Sequence, residues 1–95
     1  MLEPLTNAEI RRLKADAQRL KAMLKMGRQG LSAEFVRSVD EALKHHELVK
    51  VKFDDGKDQR KTLAPQLAER TSSHLVTLVG NVVVLFRPKP EADSA

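Results

Sequence analysis

Two runs of β-branched and aliphatic residues, Leu75–Val79 and Val82–Phe86, stand on either side of the dipeptide Gly80-Asn81, and no other part of the chain constrains its fold as tightly. A two-residue spacer between such runs predicts a tight antiparallel hairpin. Only turns with positive φ match the twist of the two strands across so short a loop, and glycine and asparagine tolerate that backbone best. Arg87-Pro88 then closes the last strand.

The other elements follow from spacing. Thr6-Asn7-Ala8-Glu9 is a capping box, with Leu5 and Ile10 placed as a hydrophobic staple. Ile10, Leu13, Ala17 and Leu20 then recur at helical spacing, which leaves Arg11, Arg12, Lys14, Gln18 and Arg19 on the remaining faces. Residues 21–26 are ambiguous, since good helix formers there also alternate as in a short strand. Gly27 and Gly30 break the chain, Ser32 is placed as an N-cap, and a second helix carries the stripe Phe35, Val36, Val39, Ala42 and Leu43. Its last turn holds Lys44, His45 and His46, cations where the helix dipole favours them. From Glu47 to Phe53 the pattern alternates, with Val49, Val51 and Phe53 on one face and Lys50 and Lys52 on the other, which predicts a half-exposed strand. Asp54-Asp55-Gly56 turns the chain toward a shorter third helix through Leu63, Leu67 and Ala68, with Thr62 placed to cap it just before Pro65.

The resulting order, α-β-α-β-α-β-β, describes one α/β domain over residues 1–90, followed by a disordered polar tail over 91–95. A length of 95 residues with 41% hydrophobic content suits one core and hardly two. The chain contains no cysteine, so it has neither a disulfide framework nor a thiolate metal site, and a reducing cytoplasm fits. The longest apolar stretch, Leu75–Phe86, is interrupted by Thr77, Gly80 and Asn81 and falls short of the roughly 20 residues that span a bilayer.

Charge is unevenly placed. The formal net charge is +4, and residues 1–30 carry seven basic side chains against Glu3, Glu9 and Asp16, so the whole surplus lies in that stretch. A surplus confined to one segment makes an electrostatic patch for an anionic partner, where a merely solvated surface would scatter it.

With these elements placed, the chain resembles the YhbY-type members of the CRM domain family, named for chloroplast RNA splicing and ribosome maturation, over roughly residues 6–88. The resemblance is carried by Leu20-Lys21, by Gly27-Arg28-Gln29-Gly30-Leu31-Ser32, by Ala42-Leu43-Lys44-His45-His46-Glu47-Leu48-Val49-Lys50-Val51-Lys52, by Leu78-Val79-Gly80-Asn81, and by Val84-Leu85-Phe86-Arg87-Pro88. It implies an α/β sandwich of three helices and a four-stranded mixed sheet, similar to the C-terminal domain of bacterial translation initiation factor three, with residues 21–26 as a strand. It further implies RNA binding and association with precursors of the large ribosomal subunit. The chain departs from the pattern at Ala22-Met23, at Pro65 and at Ser72-Ser73, the last standing where a threonine-glycine turn is common.

The residues themselves support an anion site. Glycines on either side of Arg28 and Gln29 let the backbone turn sharply and approach a phosphate with no Cβ in between. The second helix starts directly afterwards, so its free amides face the same space, and Arg28 adds a two-pronged donor. Lys21 and Lys25 from the preceding strand, with Arg11, Arg12 and Lys14 from the first helix, extend the patch, and Lys50, Lys52 and Arg87 are placed to widen it. Aromatic residues are 3% of the chain, and Phe35, Phe53 and Phe86 all fall at core positions, so shape and backbone would be read in preference to stacked bases.

Catalysis and metal binding find no support in the pattern. His45 and His46 are adjacent and diverge by about 100° on a helix, His74 stands alone, and Asp54, Asp55 and Asp58 lack the spacing of a calcium loop. No nucleophile elbow, P-loop or dinucleotide fingerprint is present, and a hydrolase built on His45, His46 and Asp40 is disfavoured by the diverging imidazoles. The expectation is a monomeric RNA-binding protein with no metal, cofactor, small-molecule substrate or membrane partner. The rival reading is a protein-interaction module whose basic face docks on an acidic protein.

Overall fold

The computed structural model describes residues 4–54 and 59–88. Their elements run α1 (Asn7–Gln18), β1 (Leu24–Met26), α2 (Ala33–His46), β2 (Leu48–Phe53), α3 (Arg60–Arg70), β3 (His74–Val79) and β4 (Val82–Phe86). The four strands form one mixed sheet in the order β1-β2-β4-β3. β1 pairs parallel to β2, with Leu24 opposite Val51 and Met26 opposite Phe53, whereas β2–β4 and β4–β3 are antiparallel. The expected hairpin is β3–β4, turned by Gly80 at φ 59°. The expected tail and the Asp55-Gly56 part of the expected turn lie outside the described residues.

Local chemistry explains where the helices start. At α1 the Thr6 hydroxyl accepts from the Glu9 amide at 3.1 Å, while the Glu9 carboxylate accepts from the Thr6 amide at 3.0 Å. Those hydrogen bonds favour the charged carboxylate and hold its pKa below the ordinary value. At α2 the Ser32 hydroxyl accepts from the Phe35 amide at 3.1 Å, satisfying one donor that the first helical turn leaves open.

The sheet carries a separate apolar cluster on each face. Leu13 and Ala17 of α1 lie against Leu48, Val76 and Val84 on one side. On the other, Val39 and Leu43 of α2 and Ala64, Leu67 and Ala68 of α3 cover Met26, Val49, Val51, Phe53, Val83 and Leu85. Strand alternation sends neighbouring residues of β2 to opposite clusters, so Leu48 is buried as well as Val49. β2 is therefore covered on both faces at its start, where alternation alone predicted a half-exposed strand.

Three boundaries differ from the sequence reading. Pairing of β1 begins at Met23, whose amide donates to the Lys50 carbonyl at 2.9 Å, so Lys21 lies in the link from α1 and is not on the strand. β2 starts at Leu48 because Glu47 closes α2 at φ 53°, a turn that separates helix from strand. α3 starts at Arg60 after Gln59, with no side-chain cap, and runs through Pro65, so Thr62 lies inside the helix. Pro65 is exposed, and its missing N–H removes a single helical hydrogen bond, while Ala64, Leu67 and Ala68 hold the opposite face in the core.

Arg87 fastens the end of β4 to both helices of the larger cluster. Its Nη1 donates to the Asp40 carboxylate at 2.6 Å and to the Thr71 carbonyl at 2.8 Å, and its Nη2 donates to the Asp40 carbonyl at 3.1 Å. The Arg87 hydrogen bond holds the Asp40 carboxyl below its ordinary pKa of 3.8. A carboxylate whose pKa falls on folding stabilises the fold above its unfolded pKa and ceases to do so as pH drops through the folded value. Asp40→Ala is accordingly expected to lower unfolding free energy by about 1–2 kcal/mol at neutral pH, since water screens a carboxylate on a side chain 37% exposed. Urea melts of both proteins should show that difference narrowing below pH 3.8. After α3, Ser72 sits at φ 52°, a backbone that disfavours any side chain, so Ser72→Gly should raise stability by about 1 kcal/mol in the same assay.

Candidate nucleic-acid interface

The end of the sheet where β1 and β2 terminate is assembled from three connections. The Asp54 amide donates to the Met26 carbonyl at 3.1 Å, and the Phe53 amide donates to the Asn81 carbonyl at 2.7 Å. The Asn81 side-chain amide returns a bond to the Phe53 carbonyl at 3.2 Å. These bonds fix the exit of β1, the exit of β2 and the hairpin turn side by side, so the chain leaving Met26 enters Gly27 from a defined position.

Residues Gly27 to Gly30 then form a β-turn, closed by a 3.1 Å bond from the Gly30 amide to the Gly27 carbonyl. Arg28 and Gln29 occupy its two central positions and are exposed. Gly30 has φ 63°, and a Cβ added at Gly27 or at Gly30 would meet no atom within 4 Å. The two glycines therefore differ in kind. Gly30 supplies a backbone that side chains disfavour, whereas Gly27 leaves open space above the main chain. Ser32 caps α2 two residues later, and the amides of Ala33 and Glu34 have no acceptor within the helix. The turn, Ser32, Glu34, Phe35 and Ser38 line a shallow depression of about 370 Å³. Arg70 of α3 donates to the Leu31 carbonyl at 3.1 Å and holds the far side of the turn. No local signal announces that contact, because 39 residues separate the partners.

The parallel register decides which cations share a face. Lys25 is opposite Lys52, and Lys50 lies two residues earlier on β2, so all three point to the face that carries α1. Lys14 of α1 lines one groove together with Lys50. Helical spacing puts Arg11 in line with Lys14 and Gln18, and Arg12 on a different exposed stripe. Lys21 is exposed on the link between α1 and β1, next to Leu20, whose carbonyl accepts from the Lys50 Nζ at 3.0 Å. A row of basic side chains thus runs from Arg11 and Lys14 across Lys50 and Lys52 to Lys25 and the Arg28 turn. Within it, Lys52 has Asp54 at 4.0 Å, and Lys50 spends one of its three donors inside the fold.

Arg87 does not join that row. β2 is six residues long, with Leu48 opposite Phe86 at one end and the Gly27–Gly30 turn beyond the other. Arg87 is therefore separated from the turn by about 17 Å of strand, and its side chain is only 19% exposed in its contacts with Asp40 and Thr71.

Among the described residues no cluster of His, Cys, Asp and Glu could hold a metal ion, and no helix is long and apolar enough to cross a membrane. Phe53 is fully buried as its position predicted, whereas Phe35, which packs against the larger cluster, and Phe86, which stacks on His74 at 6.2 Å, are half-buried, and Phe35 also lines the depression.

The different duties of the two glycines can be separated by stability. Gly30→Ala should cost about 1 kcal/mol through its positive φ, while Gly27→Ala should leave the thermal midpoint unchanged.

Comparison with known proteins places this geometry in a family. The chain is 31% identical over 81 residues to a Haemophilus influenzae protein named RNA-binding protein, covering 84% of this chain and 82% of that one. It is 30% identical over 88 residues to a Pseudomonas aeruginosa protein named as a probable RNA-binding protein, covering 92% and 85% of the two chains. The solution structure of a hypothetical protein from Staphylococcus aureus superposes with a TM-score of 0.79 at 30% identity, over 93% of each chain. The model of the CRS1 / YhbY (CRM) domain matches residues 5–87, and the chain belongs to that family.

Proposed function

We propose that this protein binds structured RNA, gripping its phosphates with the basic row that leads into the Gly27–Gly30 turn. The observation that carries the reading is the convergence of Lys25, Lys52 and Lys50 on one face of a strand pair whose exit is the two-glycine turn. Gly27 admits a phosphate close to the backbone, the open amides of α2 face it, and Arg28 supplies a guanidinium. Lys21, Arg11 and Lys14 continue the contact along the backbone and Arg12 adds a contact from its neighbouring stripe of α1, with Gln29 at the turn and Lys50 and Lys52 at the row's centre. Arg87 is assigned to holding the fold. With none of the three phenylalanines exposed, binding depends on charge and shape.

Two relatives bear names that refer to RNA binding, which supports the reading. Large-subunit ribosomal RNA or its precursor particle is the target implied by the family resemblance, and a cytoplasmic assembly factor without catalytic activity is the role that follows.

The test is binding to large-subunit ribosomal RNA precursor across a salt series. Phosphate contacts from Arg28, Lys25, Lys21, Arg11, Arg12 and Lys14 alone give a slope of log K against log salt of about −4 on single-stranded segments, and contacts from Lys50 and Lys52 steepen it. Arg28→Glu and a Lys21→Ala/Lys25→Ala variant should each bind roughly tenfold or more weakly while keeping the wild-type melting curve. Unchanged binding by both would move the site off the turn. Failure of the wild type to bind would leave an acidic protein as the partner of the basic face.

A further inference from the structure

α1 covers the sheet incompletely. Beyond its buried contacts at Leu13 and Ala17, a groove of about 370 Å³ stays open between the helix and the β3–β4 hairpin. Its floor is aliphatic, made by Ala17, Val82 and Val84, and its wall includes Val79, which is 68% exposed. A β-branched side chain so exposed beside an apolar floor leaves an unpartnered patch.

Four of the eight residues that line it are polar. Lys14 and Lys50 supply positive charge, and both belong to the basic row already described. Gln18 and Thr77 each bring a group that donates and accepts. Thr77 owes its position to a bulge in β3. Leu75 is paired with Leu85 and Thr77 with Val84, so Val76 is the extra residue. Strict alternation would send Val76 and Thr77 to opposite faces, yet Val76 is buried under α1 and Thr77 lines the groove on that same face. A bulge is a common means of re-aiming a side chain.

An aliphatic slot, two bidirectional hydrogen-bonding groups and flanking ammonium groups match one chemistry closely. We propose that the groove takes a single unstacked base of the RNA, its faces against Ala17, Val79, Val82 and Val84, its edge toward Gln18 and Thr77, and its flanking phosphates toward Lys14 and Lys50. The volume is at the lower end of the roughly 300–1,000 Å³ of small-ligand sites, which suits one nucleotide. This rests on the RNA-binding reading and adds to it a preference for RNA with an unpaired nucleotide. Charge complementarity selects the occupant, because an apolar protein segment has no use for the two lysines.

The experiment compares an RNA stem-loop bearing one bulged nucleotide with the same stem-loop lacking it, by fluorescence anisotropy. Wild type should prefer the bulged RNA by about tenfold, the scale of one well-held base. Thr77→Phe, which fills the groove with a good strand former, should abolish the preference and leave affinity for the bulge-free RNA unchanged. Gln18→Ala, at an exposed position, should reduce the preference with the fold intact. Methyl shifts of Val79 and Val82 on adding the bulged RNA give the same answer without substitution. Equal binding of both RNAs by wild type, or a preference kept in Thr77→Phe and Gln18→Ala without methyl shifts, overturns the base site while RNA binding stands. Failure of wild type to bind either RNA overturns the RNA reading itself, and the base site with it.

Discussion

Every layer of this molecule meets at β2. The strand pairs with β1 on one side and β4 on the other, and its alternating side chains enter both apolar clusters, Leu48 beneath α1 and Val49, Val51 and Phe53 beneath α2 and α3. Burying these four side chains together removes apolar surface worth several kcal/mol, at roughly 1.5–3 kcal/mol for each fully buried residue of this size. A polar residue at Val49 or Val51 would therefore disturb strand pairing and helix packing at once. The lysines between them are spared that constraint, because both stay half-exposed on the face that carries α1.

That arrangement makes the strand a scaffold for charge as well as a core. Lys50 shows how closely the two duties are joined. Its carbonyl receives the Met23 amide that begins the β1 pairing, and its ammonium holds the Leu20 carbonyl beyond the end of α1. The same residue thus ties helix and edge strand to the centre while standing in the basic row. Arg87, of similar charge, has the opposite balance, with its guanidinium engaged between α2 and the end of α3. Position in the sheet separates the two cations where residue type does not.

Much of the fold was legible in the sequence because it rests on local chemistry. The Thr6 and Ser32 caps, the Gly80-Asn81 hairpin and the alternation through β2 each draw on neighbours a few residues away. What escaped depends on distant partners. β1 is short because only Leu24 to Met26 find a ladder on β2, and no property of Lys21 to Met23 announces it. α3 passes through Pro65 because packing of Ala64, Leu67 and Ala68 outweighs one lost hydrogen bond. For the candidate site, the turn and its cations were readable from glycine spacing and charge. Arg70 at the base of the turn, and Thr77 aimed by a bulge into the groove, were not, since each is defined by residues far along the chain.

The brevity of β1 has a dynamic side. Its ladder spans three residues, and the strand it joins lies beyond a 14-residue helix, so its pairing closes a long loop, whereas the β3–β4 hairpin closes locally. Local opening takes less free energy where pairing is short, so the three-residue β1–β2 ladder opens more readily than the five-residue β2–β4 ladder beside it. The glycine turn is thus mounted on the shortest ladder of the sheet. A ligand that bridges Arg28 and the lysines of β2 would damp that opening, and its arrival would register as slowed amide exchange along β1.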